Sequence, residues 1–547
     1  MNNPFVVPAV VAVTLLTVVI GFYGLRLARS TSDLLVASRM VSPTWNAAAI
    51  GGEYLSAASF LGIAGLILRY GVDMLWYPVG FAAGYLALLL FVAAPLRRSG
   101  AFTLPDFCEA RLGSRRLRRL TTAFVVLIGW LYLVPQLQGA GLTLSTVTGA
   151  PYALGALLVG GVVTGNVALG GMRAITLVQA FQYWLKLTAL AVPAVFLLLQ
   201  WQSDGRPAIT PEGGARFPAA TTVTVEQPAT LTLADGSTVR VDPGDTLSFA
   251  AGDPVPQVSA AQVKQGADWL LPGDPDDEDS GLFATYSLML ATFLGTMGLP
   301  HVLVRFYTNP DGAAARRTTL IVLALVGVFY LLPTLYGVLG RIYTPQLLLT
   351  GKTDAVVVLL PEAALGDGLT ARLLAALVAA GAFAAFLSTS SGLLTSVAGV
   401  ISTDVLGRGS VRDFRLAAFL AGVVPVTLAL NLANLNVSQV VGLAFAIAAS
   451  SFCPLLVLGI WWRGLTDVGA AAGILAGGGA AGAAVLLTVL GPPLTGWPAA
   501  LIAQPAAWTV PLAFTVMVTV SVISRRRIPH DVGTIMLRLH APDTLRL

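Results

Sequence analysis

Long apolar segments recur along almost the whole 547-residue chain. A run of about 18 apolar residues is long enough to cross the hydrocarbon core of a bilayer as a helix. Charged residues make up only 11% of the chain, too few to cover the surface of a soluble globule of this length. The sequence therefore predicts an all-α polytopic membrane protein and excludes a soluble enzyme or a nucleic-acid-binding protein. About thirteen spans are predicted, at residues 5–27, 44–69, 75–96, 119–147, 152–171, 175–200, 281–307, 317–340, 369–402, 414–433, 437–462, 466–490 and 505–524.

The basic residues lie in alternate connections between these spans. Arginines crowd one set of loops, whereas the connections near 148–151, 434–436 and 491–504 contain no lysine or arginine. Basic loops mark the cytoplasmic side of a membrane protein. We therefore expect a multi-pass protein of the cell (inner) membrane with its N-terminus outside and a cytoplasmic tail at 525–547.

Residues 201–280 interrupt the apolar pattern between a first membrane segment, 1–200, and a second, 281–524. This insert holds 13 acidic and four basic residues, so it carries −9 while the rest of the chain carries +14. From Thr221 to Phe249 it alternates apolar and polar residues, with Asp235-Gly236 between two such runs as a hairpin signal. We expect a small, acidic, β-rich, extracytoplasmic insert. The basic overall charge thus reflects topology rather than nucleic-acid binding.

Two predicted helices contain interruptions that a simple membrane anchor does not need. The second span carries Gly51-Gly52-Glu53 followed by Leu55-Ser56, and the seventh carries Gly295 to Pro300-His301. Unwound backbone at membrane depth survives only where it is buried in protein or lines a wet cavity. Breaks at corresponding places in two halves of a chain are typical of inverted-repeat transporters with a binding site at the midplane. Close packing through glycine is the alternative explanation for either break alone.

Several segments of the chain resemble the sodium/solute symporters, and within them the cation/acetate symporter (acetate permease, monocarboxylate) branch. They are Leu55–Gly62, Gly295–His301, Gly442–Ser450 and the stretch from Ser388-Thr389 through Asp404. The resemblance covers roughly residues 10–490 without the insert. It implies the LeuT-type fold, with two inverted five-helix repeats at 44–200 and 281–462.

The same resemblance implies a site for Na⁺ as the coupling ion. Its ligands fall on the backbone carbonyls of Gly52, Leu55 and Ala385 and on the hydroxyls of Ser388 and Thr389. A substrate contact falls on Ser59 and an aromatic-gate position on His301, which is tyrosine in related branches. Gln179 stands where some branches carry an aspartate for a second cation.

As a hypothesis, the chain takes up a small monocarboxylate such as acetate, propionate or pyruvate together with sodium. The carboxylate is expected at the half-helix that starts near Ser56, where unpaired N–H groups favour an anion. Gln136 and Gln138 are candidate donors to it, with helix–helix bonding as the alternative. The apolar wall is predicted from aromatic residues that packing alone also explains, namely Phe60, Trp76 and Phe81.

Other functions remain open at this stage. Glu53 makes a proton an alternative coupling ion, unless it bonds a neighbouring helix, and Lys186 is expected to snorkel or pair. A symporter for sugars or amino acids, and a transporter-like ligand sensor, are further alternatives. The sequence shows no nucleophile elbow and no metal-ligand cluster, so no catalytic residue is predicted. The expected partners are the solute, sodium and the bilayer, with a small membrane subunit as a further candidate, and no nucleic acid.

Overall fold

A computed structural model describes residues 3–25, 40–209, 215–225, 229–233, 235–258, 263–264, 266–271, 281–407, 410–431, 437–491, 494 and 496–542. Helices dominate these residues. The first half contains α1 (Val6–Leu25), α2 (Pro43–Tyr54), α3 (Ile63–Tyr70), α4 (Trp76–Ala87), α5 (Ala93–Arg98), α6 (Leu104–Leu112), α7 (Arg115–Thr148) and α8 (Tyr152–Ser203). The second half contains α9 (Gly281–Gly298), α10 (Pro300–Phe306), α11 (Gly312–Tyr343), α12 (Leu347–Thr350), α13 (Val356–Leu365), α14 (Leu369–Val400), α15 (Val411–Asn431), α16 (Val437–Trp461), α17 (Asp467–Leu490), α18 (Gly496–Ala503), α19 (Ala506–Ile523) and α20 (Val532–His540).

The long apolar helices follow the predicted spans with two differences. Among the described residues, 11 helical stretches are long and apolar enough to cross a membrane, and α1 (Val6–Leu25) lies within the first predicted span. The predicted span 44–69 is divided at residues 55–56, so its second half merges with the next span in the stretch Ala58–Arg98. Helical backbone also continues from Tyr152 to Ser203 through the predicted gap at 172–174.

Both predicted helix breaks are present. In the first, α2 ends at Tyr54, Leu55 leaves the helical region with φ −75° and ψ 85°, and a π-helical turn at 58–62 leads into α3. In the second, Leu299 is extended, with ψ 115°, between α9 and α10. Proline at the first position of α10 suits this geometry because its missing N–H would have no partner there. Each half of the chain therefore contains one of the two divided helices.

Small residues bring the central helices unusually close together. A Cβ on Gly52 of α2 would lie 2.2 Å from the backbone oxygen of Gln179 in α8. A Cβ on Gly381 of α14 would lie 2.3 Å from the Cβ of Ala189, also in α8. Without a hydrophobic driving force between helices in lipid, such close approach supplies the packing energy. The glycines thus place α2, α8 and α14 in direct backbone contact around the first break.

The described residues of the insert form five short strands, β1 (Thr221–Thr224), β2 (Ala229–Thr232), β3 (Thr238–Val241), β4 (Thr246–Phe249) and β5 (Gln257–Val258). β2 pairs antiparallel with both β3 and β5, and β1 pairs antiparallel with β4. The predicted turn at Asp235-Gly236 joins β2 to β3, and Gly236 has φ +81°, a conformation that favours glycine.

The chain after these strands docks onto the second half of the broken helix. Trp269 is buried and donates its indole N–H to the backbone oxygen of Ile67 at 2.8 Å, in the last turn of α3. The Lys264 ammonium lies 2.5 Å from the Asp73 carboxylate just beyond α3. The insert is therefore attached to the same helix that carries the first break.

Candidate functional site

The first break leaves backbone carbonyls at the end of α2 without helical partners, as every helix C-terminus does. Three hydrogen-bond donors from other helices reach them. Lys186 of α8 donates to the carbonyl oxygens of Gly52 and Leu55, the latter at 2.7 Å. Ser388 Oγ donates to the Gly52 oxygen at 2.6 Å, and Thr389 Oγ1 donates to the Glu53 oxygen at 2.6 Å. The negative end of the α2 dipole is thus held by a positive charge and two hydroxyls.

The residues predicted as sodium ligands do come together at this point. Besides the carbonyls of Gly52 and Leu55 and the two hydroxyls of α14, the Ala385 oxygen lies 3.1 Å from Ser388 Oγ. The Lys186 ammonium is also within 2.8 Å of Ser388 Oγ. It therefore contacts three of the five predicted ligands. Of the two expectations for Lys186, the structure shows a bonded side chain and not one that snorkels towards a membrane surface, because the side chain is 0% exposed.

A sodium ion does not fit this site beside Lys186. An ion bound to the same oxygens would lie about 3 Å from the ammonium, where two like unit charges repel by about 5 kcal/mol at an effective dielectric constant of about 20. The ammonium moreover already donates to oxygens that the ion would need. The donor set is that of a cation site, and a side-chain cation fills it.

Glu53, in the last turn of α2, belongs to a second buried polar cluster next to the first break. Arg305 Nε of α10 donates to Glu53 Oε2 at 2.5 Å, and both side chains are almost completely buried. The other guanidinium nitrogens donate to Thr176 Oγ1 at 2.8 Å and to Gln179 Oε1. Gln179 in turn donates to the Ser388 oxygen at 2.7 Å. This geometry corresponds to the alternative in which Glu53 bonds a neighbouring helix, and it connects both broken helices to α8.

A cluster of aromatic side chains lies beside the first break, next to Ser59. Ser59 Oγ and the hydroxyl of Tyr330 in α11 are 2.9 Å apart. Phe81 of α4 stacks on Tyr330 with ring centroids 5.8 Å apart and packs against Tyr54 at 5.7 Å. The Tyr54 hydroxyl is 2.9 Å from Thr296 Oγ1, near the end of α9. This aromatic cluster therefore connects the end of α2 to the end of α9, which are the helix ends at the two breaks.

His301 lies on the second break with both ring nitrogens buried. Neither nitrogen has a hydrogen-bond partner among the described residues. The ring packs edge-on against Tyr132 of α7, with centroids 5.3 Å apart. Leaving a buried polar atom unpaired costs about 1–3 kcal/mol. His301 thus presents two nitrogens that a polar solute can satisfy.

The remaining predicted residues occupy different positions around the break. Gln136 Oε1 accepts the backbone N–H of Ala57 at 2.8 Å, so it caps the second half-helix and occupies one donor expected for a carboxylate. Ser56 is fully buried at the break itself. Phe60 packs on Phe329, with centroids 6.4 Å apart. Trp76 is only half-buried at the start of α4.

Sequence reasoning missed Arg305 and Tyr330 and assigned Lys186 a different place. Arg305 carried a usable signal, since an arginine four residues after a predicted break is an ionisable group near membrane depth, a functional hypothesis by default. Tyr330 carried none, because a tyrosine in an apolar helix is unremarkable until its partner is known. Lys186 was visible as a charge in the sixth span, but its acceptors lie more than 130 positions away in sequence.

Comparison with known proteins gives a consistent picture at the sequence level. The family model described as "Sodium:solute symporter family" matches residues 34–208 and 255–477. The uncharacterised symporter YwcA of Bacillus subtilis (strain 168) is 30% identical over 522 residues, covering 92% of this chain and 91% of YwcA. The monocarboxylic acid transporter of Corynebacterium glutamicum is 30% identical over 520 residues, covering 90% of this chain and 86% of the transporter.

Solved structures with a similar fold are membrane transporters. A Na⁺-coupled sialic acid symporter, in a substrate-bound outward-open state, aligns with a TM-score of 0.64 at 15% identity over 94% of this chain and 97% of its own. The nucleobase-cation-symport-1 transporter Mhp1, closed around bromovinylhydantoin, aligns with a TM-score of 0.52 at 14% identity over 92% and 98%. The predicted LeuT-type fold is confirmed, and the protein is a transporter rather than an enzyme. On the matched family model, the two relatives and this fold, the chain belongs to the sodium:solute symporter family.

Proposed function

We propose that this membrane protein takes up a small monocarboxylate, of the acetate, propionate or pyruvate type, by alternating access around the two helix breaks. The observation that carries the proposal is the set of polar and aromatic groups buried beside the two breaks, namely the hydroxyl pair of Ser59 and Tyr330, the Phe81 ring stacked on Tyr330, and the unpaired nitrogens of His301. Similarity to a monocarboxylic acid transporter over most of both chains supports the same solute class.

The lining matches the two ends of such a solute. Hydroxyls and imidazole N–H groups donate hydrogen bonds to a carboxylate, and the positive charges of Lys186 and Arg305 near the breaks favour an anion over a neutral sugar. Phe81 and Tyr54 offer apolar faces for a short alkyl group. Only a few polar groups converge there, so we expect the size and charge of the solute, rather than many hydrogen bonds, to determine which solute binds.

Movement of the solute needs a hinge, and the two breaks supply it. Helical hydrogen bonding is interrupted at Leu55 and at Leu299, so each half-helix can tilt without disturbing its own ladder. The Glu53–Arg305 ion pair holds α2 against α10. The bonds from Lys186 to the carbonyls at the end of α2 hold this helix against α8. Opening therefore requires these polar contacts to rearrange while the helices move as rigid units.

Coupling to an ion gradient follows from family membership, and sodium is the ion expected from the sequence. The five predicted ligands are gathered, which supports a cation site. Three of them contact the Lys186 ammonium, so the proposed transport cycle contains no sodium step. The proton alternative placed on Glu53 is less well supported, because Arg305 holds that carboxylate. Orientation in the membrane and a partner subunit stay predictions.

The test is counterflow in proteoliposomes containing the purified full chain. Vesicles loaded with unlabelled solute should accumulate labelled pyruvate, acetate or propionate without any ion gradient, whereas loaded glucose or alanine should not drive this exchange. Pyruvate is the preferred probe because it is the strongest of these acids and leaks least as the neutral form. Exchange of sugars or amino acids in place of monocarboxylates would contradict the proposal and favour those solutes.

Two substitutions locate the solute within the site. Ser59→Ala and Tyr330→Phe each remove one member of the 2.9 Å hydroxyl pair, and each should raise the half-saturating pyruvate concentration about two- to tenfold. Tyr286→Phe is the matched control, because Tyr286 is 62% exposed on α9 away from the breaks. Equal behaviour of all three variants would remove Ser59 and Tyr330 from the site.

A further inference from the structure

We infer that the Lys186 ammonium is the resident cation of the site at the first break, a tethered substitute for sodium, so that solute exchange by this chain does not require sodium. The inference rests on the proposed transport function for one of its two readouts only. The family description suggests sodium coupling. In this chain, however, a lysine side chain contacts three of the predicted sodium ligands.

The three contacts of Lys186 fit its charged form. Its nitrogen contacts three acceptors, the backbone oxygens of Gly52 and Leu55 and the hydroxyl oxygen of Ser388. Ser388 uses its own proton towards Gly52, so it can only accept from lysine. A protonated amine has three N–H donors and no acceptor. The three contacts therefore match one ammonium ion, with every N–H bonded.

The position of the lysine explains how a side chain replaces an ion. A bound cation at this place joins the end of α2 to α14 through oxygen ligands from both helices. Lys186 joins the same two helices and adds a covalent connection to α8. Because the ammonium is part of the chain, it is always available to hold the α2 carbonyls without any ion from solution.

The charges around Lys186 support a resident cation. Glu53 on α2 is the carboxylate whose negative charge attracts the ammonium of Lys186. Arg305 on α10 is paired with the same carboxylate. From α14 the lysine contacts the hydroxyl oxygen of Ser388, which carries no charge. Gln179, which also lies on α8 and bonds to the Ser388 backbone oxygen, is a neutral amide. A second, mobile cation would add positive charge to a cluster that already holds two.

The experiment compares sodium with potassium and choline at constant ionic strength, using the purified full chain. The first readout is the melting temperature in detergent, because an ion that binds only the folded state raises it. The second is pyruvate counterflow in proteoliposomes, where a coupled ion typically changes solute affinity about 5- to 150-fold. For the wild-type chain we expect no sodium-specific shift in melting and equal counterflow in the three salts.

Lys186→Ala provides the complementary arm. Removing the ammonium frees the oxygens of Gly52, Leu55 and Ser388, so this variant should gain a sodium-specific rise in melting temperature. Lys352→Ala is the control, since Lys352 is an exposed lysine in the connection before α13. It should behave as the wild type in all three salts.

The outcomes separate the inference from the proposed function. A sodium-specific rise in melting temperature or in counterflow of the wild-type chain overturns the inference, whether or not Lys186→Ala folds. A folded Lys186→Ala that ignores sodium also overturns it, because the oxygens would then not form a cation site. Absence of pyruvate counterflow in every salt counts against the proposed function alone, while the melting measurements still decide the role of Lys186.

Discussion

Arg305→Met should destabilise the protein by about 3–5 kcal/mol, the usual cost of removing one partner from a buried ion pair. The guanidinium of Arg305 is 0% exposed and its Nε lies 2.5 Å from Glu53 Oε2. Two unit charges about 4 Å apart attract by about 4 kcal/mol at an effective dielectric constant of about 20, which agrees with that range. The variant also leaves the hydroxyl of Thr176 without its 2.8 Å donor. Most of the loss therefore comes from the uncompensated Glu53 carboxylate.

A double-mutant cycle isolates this interaction. Glu53→Leu should cost a similar amount, because it leaves the Arg305 charge buried and unpaired. The double variant leaves no buried charge in this pair, so its cost should fall short of the two single costs together by about 3 kcal/mol. Unfolding by SDS titration in mixed micelles measures all four proteins. Additive losses would refute the reasoning, since they would mean that the two side chains do not stabilise each other.

A surface ion pair provides the control for the cycle. Arg527 lies 3.6 Å from the Asp467 carboxylate, and its side chain is 57% exposed. Arg527→Met should cost no more than about 1 kcal/mol, because exposed pairs gain little in a high dielectric. A loss as large as that of Arg305→Met would show that the assay reports removal of any arginine.

Three further predictions concern single positions. Gly392→Ala should destabilise the protein by about 1–3 kcal/mol in the same titration, because its Cβ would lie 2.0 Å from Glu53 Oε1, whereas Gly479→Ala, with open space around it, should not. Burial raises the pKa of Asp354, in the turn before α13, from 3.8 to about 6. Folding therefore favours the protonated form, so the free energy of unfolding of the wild type should fall by about 2–3 kcal/mol relative to that of Asp354→Asn as the pH rises from 4 to 7. Melting curves of both proteins across this pH range measure the change. A difference in stability between the two proteins that stays constant with pH would contradict the prediction. Gln136→Leu should destabilise the protein by about 0.5–2 kcal/mol through loss of the helix cap and so lower the melting temperature, whereas Gln136→Glu, which keeps an acceptor, should lower it less.

The positions of the helix breaks were accessible from the sequence because they depend on local chemistry. Gly51-Gly52 before Leu55-Ser56, and Gly298 before Pro300, weaken the helix within a few residues of each break. The hairpin turn at Asp235-Gly236 was predictable for the same reason. The number of continuous helices was harder to predict, since hydropathy alone does not show where helical backbone continues through a connection, as it does between Tyr152 and Ser203.

The roles of the polar side chains depended on contacts between distant parts of the chain. Gln136 looked like a ligand donor and caps a half-helix instead, because its oxygen meets the N–H of Ala57, 79 positions earlier. Glu53 and Arg305 are 252 positions apart, and nothing near either residue identifies the other. In a low-dielectric interior each buried polar group must find a partner, but the sequence does not say which one.

By itself, the sequence determined a multi-span helical membrane protein with two broken helices and a set of oxygen ligands around the first break. Those features follow from apolar length, glycine and proline placement, and the hydroxyl run at Ser388 and Thr389. Only the tertiary structure decided what those oxygens bind. The packing of α8 against α2 and α14 carries the Lys186 ammonium to carbonyls more than 130 positions away. A side-chain cation thus stands where the sequence predicted an ion, because identical ligands accept either charge and packing selects between them.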